Sequence, residues 1–208
     1  MSTYDPTAWA ESAPVESLQG SYAMLGWNGP GAYRAALADA VGEALHQVYV
    51  DKGKPPSLLD VACFTGEYFG RLKETLAFPW QYTGVDVTPA YVDEARRRWP
   101  GARFEVGSAF ALGKYQADVV LCAGLLIHMD DPGAVIRELL RVTKRALVVT
   151  ATVNPLQAKD VVASEAEPFI VRVYKPGYIK GLLLKAVPKG AADDYRQVGD
   201  QGIWTVGL

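Results

Sequence analysis

The sequence predicts an α/β protein built on a mostly parallel sheet. Short apolar runs of strand length alternate with segments whose apolar residues recur at helical spacing, from Ala32 to Thr152. The runs are apolar almost throughout, as strands are when both faces of a sheet are covered. With 208 residues, half of them hydrophobic, one domain is expected. At this size roughly 70% of the unfolded surface is buried, so neither a disulfide nor a metal is needed to hold the fold.

The elements follow in order. Ala32 to Tyr49 carries Leu37, Val41, Leu45 and Val48 at helical spacing, and the run from Asp51 to Pro56 breaks that helix. Ser57 to Ala62 (SLLDVA) reads as the first strand, followed by a turn and a helix from Glu67 to Leu76. Tyr82 to Val87 (YTGVDV) is the second strand. Thr88 stands as the N-cap of the next helix, with Pro89 at its first position and Pro100 ending it. Further strands are expected at Arg103 to Val106, Asp118 to Ala123 and Arg145 to Thr152, with a helix opened by Asp131 and Pro132 between the last two. Beyond these, Phe169 to Tyr174 reads as a strand, Tyr178 to Lys185 as a short helix and Gly202 to Val206 as a final strand. Residues 1–30, rich in Tyr, Trp, Gly and Pro, read as an arm or lid ahead of a domain spanning 31–208.

Composition excludes several classes. The net charge of -2 offers no general attraction to nucleic acid or anionic membrane. The longest apolar run, Val119 to Ile127, falls far short of the roughly 20 residues that span a bilayer. The first residues show neither a basic leader nor an apolar signal core, so a cytoplasmic protein is expected. Two cysteines make no disulfide framework, and no group of residues has metal-ligand spacing.

In an open α/β sheet, ligands bind beyond the carboxyl ends of the strands, where strand order reverses. The first strand ends in Asp60-Val61-Ala62-Cys63-Phe64-Thr65-Gly66, the second in Asp86 and the third in Gly107-Ser108-Ala109. The fourth ends in Cys122-Ala123-Gly124, with His128 beyond. Asp86 follows Gly66 by 20 residues, a placement suited to a carboxylate that accepts from both hydroxyls of a ribose. Two nucleoside cofactors fit, a nicotinamide dinucleotide and S-adenosylmethionine. A dinucleotide brings its pyrophosphate against the backbone at the second glycine of the turn. Phe64 occupies that position, which favours the phosphate-free cofactor.

The stretches DVACFTGEY, GVDVTPAYVDEARRRWP, FEVGSAFAL and ADVVLCAGLLIHMDDPGAVIRELLRV together resemble a class I S-adenosylmethionine-dependent methyltransferase, over roughly residues 57–152. The resemblance implies a Rossmann-like fold: a mostly parallel twisted sheet, helices on both faces and a C-terminal antiparallel strand. It implies that Asp60 organises the turn and reaches the methionine amino group. Ala62, Cys63, Phe64 and Gly66 would line the methionine part, and Asp86 would hold the ribose diol. Val87 would pack on the adenine, with Ser108 and Ala109 at its edge. Cys122 and Ala123 would face the reacting methyl group, with His128 near the acceptor as the base that takes its proton or as a residue that orients it. The chain departs from the family pattern at Phe64, where glycine is usual and a positive φ would strain another residue, and at Ser108, where an acid is common.

The remaining candidates are expected to be plainer. Cys63 and Cys122 read as small buried apolar residues rather than a redox pair. Of the arm aromatics Tyr4, Trp9, Tyr22 and Trp27, Tyr22 and Trp27 are the candidates for a contact over the site. Arg96 to Arg98 reads as a solvated helix end. The expected acceptor is a small molecule, covered by the arm and by the segment 154–185; a homodimer is compatible. Two alternatives stand beside it. One is an RNA or protein substrate, for which a basic cleft of Lys159, Arg172, Lys175 and Lys180 would speak; the other is a non-catalytic cofactor-binding scaffold.

Overall fold

The computed structural model describes residues 31–129, 131–156, 159–162, 170–187 and 191–208. The chain runs α1 (Gly31–Lys52), β1 (Ser57–Val61), α2 (Glu67–Thr75), β2 (Gln81–Asp86), α3 (Pro89–Arg98), β3 (Arg103–Val106) and β4 (Ala117–Cys122). A single 3-10 turn (Leu126–His128) leads into α4 (Pro132–Val142) and β5 (Thr143–Thr152). Then come β6 (Lys159–Val162), β7 (Ile170–Val173), α5 (Pro176–Ala186), β8 (Asp193–Val198) and β9 (Gln201–Gly207).

Seven strands form one sheet in the spatial order β3-β2-β1-β4-β5-β9-β8. The pairs from β3 to β5 are parallel, whereas β9 runs antiparallel to both β5 and β8. Strand order reverses between β1 and β4, so the crevice for a ligand lies over their carboxyl ends. The expected strands all lie within a residue or two of the observed ones. Two others, β6 and β8, were not anticipated. β8 (DDYRQV) is half-exposed and polar because it closes the sheet's edge, where charged side chains discourage further pairing. Its sign in the sequence is the Gly199-Asp200 link to β9, a two-residue hairpin turn with Gly199 at φ +61°.

Alternation along each strand feeds two cores. Leu58, Val119, Leu121 and Val148 face α1 to α3, where they meet Leu37, Val41, Leu45, Leu72 and Val92. Leu59, Val61, Val120, Leu147 and Val149 face the other side, where Ile136 and Leu139 of α4 and Ile179 and Leu183 of α5 cover them. Burying apolar side chains on both faces, at about 1.5–3 kcal/mol each, explains the uniformly apolar strands. At the end of the sheet away from the crevice, Ser57 N and Oγ donate to Asp118 Oδ2 at 3.0 and 2.9 Å, and Lys52 Nζ bonds the same carboxylate. This clasp ties α1 to the starts of β1 and β4.

The segment after β5 makes a small antiparallel pair, β6 with β7. It rejoins the main sheet's end through a bridge between Val153 and Tyr174. No helix among the described residues is long and apolar enough to cross a membrane.

Candidate active site

The turn after β1 passes through the left-handed region three times, at Ala62 (φ 61°), Phe64 (φ 52°) and Gly66 (φ 76°). Gly66 is required twice over. A Cβ there would stand 2.7 Å from Trp99 and 2.8 Å from Phe104, and the φ itself disfavours a side chain. Ala62 and Phe64 accept that backbone at a cost of roughly 1 kcal/mol each. Phe64 has two compensations: its N–H donates to Asp86 Oδ2 at 2.9 Å, and its ring meets Tyr91 edge-on at 4.6 Å. Ala62 N and Cys63 N both donate to Val85 O, which ties the turn down onto β2.

Asp86 is buried at the end of β2, where its Oδ1 accepts from Thr88 N at 3.0 Å. Burial raises the carboxyl above its usual range, and the amide bonds from Thr88 and Phe64 pull it back in part. Thr88 occupies the N-cap position of α3 but makes no cap bond with its side chain. Thr88 thus stands at the expected N-cap position, but both its amide and its hydroxyl bond the Asp86 carboxylate. The Val87 amide also bonds this carboxylate, so its neighbours in the chain and the turn after β1 fix its position.

Asp86 pairs with Val106, and Gly107 N donates to Asp86 O at 2.9 Å, so Ser108 and Ala109 emerge beside Val87. All three are half-buried, and the exposed Val106 and Phe110 extend this rim. Ser108 Oγ accepts from Phe110 N at 3.2 Å, which shapes the local turn.

Asp60 is buried, and its Oδ2 accepts from Tyr82 Oη at 2.8 Å. Burial first, then the like charge of Asp86, push its carboxyl up to about 7 against the lowering effect of the Tyr82 bond. The Tyr82 partnership is invisible in the sequence, because it depends on the register between β1 and β2.

Cys122 sits opposite Val61, so the two cysteines stand at the ends of the neighbouring strands β1 and β4, as expected. They belong to opposite faces, Cys63 to the α1–α3 side and Cys122 to the α4–α5 side, and both are free. Burial pushes both thiols up, which makes neither a nucleophile. Ala123 is half-buried, and Gly124 N donates to Thr150 Oγ1 at 3.0 Å. Tyr33 Oη donates to that same oxygen at 3.0 Å, and the Tyr68 hydroxyl bonds Tyr33 in turn. This polar cluster joins α1, α2 and the ends of β4 and β5. Sequence reasoning missed it, since its members lie up to 117 residues apart.

His128 closes the 3-10 turn after β4 and is buried, with its N–H donating to Leu125 O at 3.0 Å. Tyr174 of the cover segment reaches this turn: its hydroxyl is shared between Leu126 O (3.0 Å) and Met129 O (3.1 Å). The basic cleft is weakened, as Lys180 Nζ pairs with Asp193 at 2.6 Å. The side chain of Lys159, together with Tyr4, Trp9, Tyr22 and Trp27, lies outside the described residues. Asp60, the 62–66 turn, Asp86, Val87, Ser108, Ala109, Cys122 and Ala123 thus all stand at one end of the sheet, on strands β1 to β4.

Residues 58–146 match the methyltransferase domain family. Solved structures share the architecture. A 1,6-didemethyltoxoflavin-N1-methyltransferase from Burkholderia thailandensis, with 1,6-didemethyltoxoflavin and S-adenosylhomocysteine bound, is 17% identical with a TM-score of 0.65, covering 100% of this chain and 92% of that one. An S-adenosylmethionine-dependent methyltransferase from Clostridium acetobutylicum is 12% identical with a TM-score of 0.66, covering 93% and 98%. The (4+2)-cyclase SpnF is 20% identical with a TM-score of 0.64, covering 83% and 78%. No curated protein matches significantly in sequence. At these identities the structures speak for the fold, which is that of class I methyltransferases, and residues 58–146 match the methyltransferase domain within it.

Proposed function

We propose that this methyltransferase moves a methyl group from S-adenosylmethionine to an oxygen or nitrogen of a small-molecule acceptor, by in-line displacement. The observation that carries this reading is Asp86. It is a buried carboxylate at the carboxyl end of β2, beside the switch point, fixed by the Phe64 and Thr88 amides where a ribose diol would meet it. In the same reading Asp60, Ala62, Cys63, Phe64 and Gly66 serve the methionine part, while Val87, Ser108 and Ala109 serve the adenine. Asp60 fits an ammonium group, because the charge it feels is the like charge of Asp86 and its one hydrogen bond comes from Tyr82. Cys122 and Ala123 border the transferred methyl. His128 takes or orients the acceptor's proton, and Tyr22 and Trp27 belong to a lid.

The bound cofactor supplies an activated methyl carbon. The chain's own residues have to align the acceptor with it, exclude water and remove one proton from a neutral nucleophile. A small acceptor is supported by the pairing of Lys180 with Asp193, which neutralises one of the four basic residues that would speak for RNA or protein. It is supported too by the 1,6-didemethyltoxoflavin bound to the Burkholderia neighbour. Free buried thiols suit a cytoplasmic protein.

A second reading has its own support. Ala62 and Phe64 hold glycine-like backbone, and one neighbour of equal likeness is a cyclase. A protein that binds the cofactor without transferring its methyl would combine these features.

Calorimetric titration with S-adenosylhomocysteine, followed by incubation with methyl-labelled S-adenosylmethionine and fractionated cell extract, separates the readings. Binding with label in the low-mass fraction is expected. Label in RNA or protein overturns the small-molecule acceptor, and binding without any transfer supports the second reading. No binding at millimolar ligand removes both.

A further inference from the structure

We propose that Tyr174 is a positioning residue for His128, through which the cover segment holds the turn on the acceptor side. The inference rests on the assignment of His128 to that side. The 3-10 turn Leu126–His128 is buried and closes with Met129 N donating to Leu126 O at 3.1 Å. The Tyr174 hydroxyl is shared between that same Leu126 O and Met129 O, which bracket His128 in the chain.

Tyr174 is itself fixed. Its N–H donates to Thr152 O at 3.0 Å and its carbonyl accepts from Asn154 N at 2.9 Å, which anchors it to the end of β5. Tyr178, at the start of α5, stacks on its ring at 5.6 Å with a 17° tilt. The His128 turn, the end of β5 and the cover segment therefore meet at one phenol. The setting of Tyr174 thereby fixes the backbone on both sides of His128.

The test uses the full chain with 13C-labelled histidine. The protein has two histidines, so His46→Gln assigns both signals. His46 lies on α1, packed on Phe78 at 5.6 Å, and serves as an internal control. Tyr174→Phe removes one oxygen and keeps the ring. It is expected to shift the His128 signal and move its titration midpoint by about 0.3 pH units or more, with His46 unchanged and S-adenosylhomocysteine affinity held within about twofold. Tyr178→Ala strips the stacked ring but leaves the hydroxyl, and is expected to leave the His128 midpoint in place.

A folded Tyr174→Phe with an unmoved His128 overturns the proposal, as does Tyr178→Ala moving His128 equally. If Tyr174→Phe does not fold, hydrogen exchange in the unaltered protein decides. The amides of His128, Met129 and Tyr174 are expected to share one opening free energy, and independent opening of the turn overturns the coupling. Failure of the cofactor reading shows separately, as absent S-adenosylhomocysteine binding.

Discussion

The amide of Phe64 donates to the carboxylate of Asp86 across 2.9 Å, so the turn after β1 and the acid at the end of β2 form one unit. Asp86 therefore has two tasks. It holds a strained turn in place, and in the proposed reading it meets the cofactor's ribose. Asp86→Ala is expected to weaken S-adenosylhomocysteine binding by at least about 30-fold and to lower stability by about 1–3 kcal/mol, since the Phe64 N–H loses its partner. Calorimetry and urea unfolding read the two effects, and unaltered affinity would remove Asp86 from the ribose site.

Ala62 offers a test of the strain itself. Its φ of 61° is easy for glycine and costly for alanine. Ala62→Gly should raise stability by up to about 1 kcal/mol, measured as a higher urea midpoint at constant slope. A lower midpoint contradicts this account of the turn.

Asp60 makes stability depend on pH. Its carboxyl rises from an ordinary 3.8 to about 7 in the fold, so the folded state binds the proton more tightly than the unfolded one. The resulting contribution is fully present below about pH 4 and is lost as pH rises to about 7, on the order of 4 kcal/mol. Asp60→Asn keeps an acceptor for Tyr82 but carries no charge. It should match the parent near pH 4 and melt higher than it at pH 8. Equal melting at pH 8 would show that the carboxylate is not penalised there.

Thr150 is the shared acceptor of Tyr33 and Gly124. Thr150→Val preserves shape but removes the acceptor of the Gly124 amide and of the Tyr33 hydroxyl, at about 1–3 kcal/mol. Thr150→Ser should recover most of that loss. An unaltered stability in Thr150→Val would show that the shared hydroxyl does not hold these elements together.

His128→Ala should reduce turnover more than it weakens cofactor binding, as expected of a group on the acceptor side. Steady-state kinetics beside calorimetry make the comparison. Unchanged turnover would take His128 out of the reaction.

Much of this architecture was legible residue by residue. Apolar runs such as SLLDVA and ADVVLC announce strands covered on both faces, and the Asp131-Pro132 pair announces the start of α4, where Asp131 Oδ1 accepts from Gly133 N at 2.9 Å. The candidate residues at the strand ends followed from the same pattern, because a parallel sheet gathers all its carboxyl ends on one edge. The edge strand β8 escaped, since a polar strand carries no apolar alternation. Thr88 stands at the N-cap its residue type announces, while the use of its hydroxyl on Asp86 instead of on the helix amides was not legible.

Local preference and hydrophobic pattern act between neighbours in the chain, and they suffice to set the order of elements and the edge at which a ligand binds. Contacts between distant residues answer to strand register and helix packing instead. The Tyr82 bond to Asp60, the meeting of Tyr33 with Thr150 and the reach of Tyr174 to the His128 turn exist only once β1 is registered against β2 and α1 and β7 are docked. Those pairings decide the protonation of Asp60 and the setting of the acceptor side, because burial and partners, rather than residue type, determine what a polar group does.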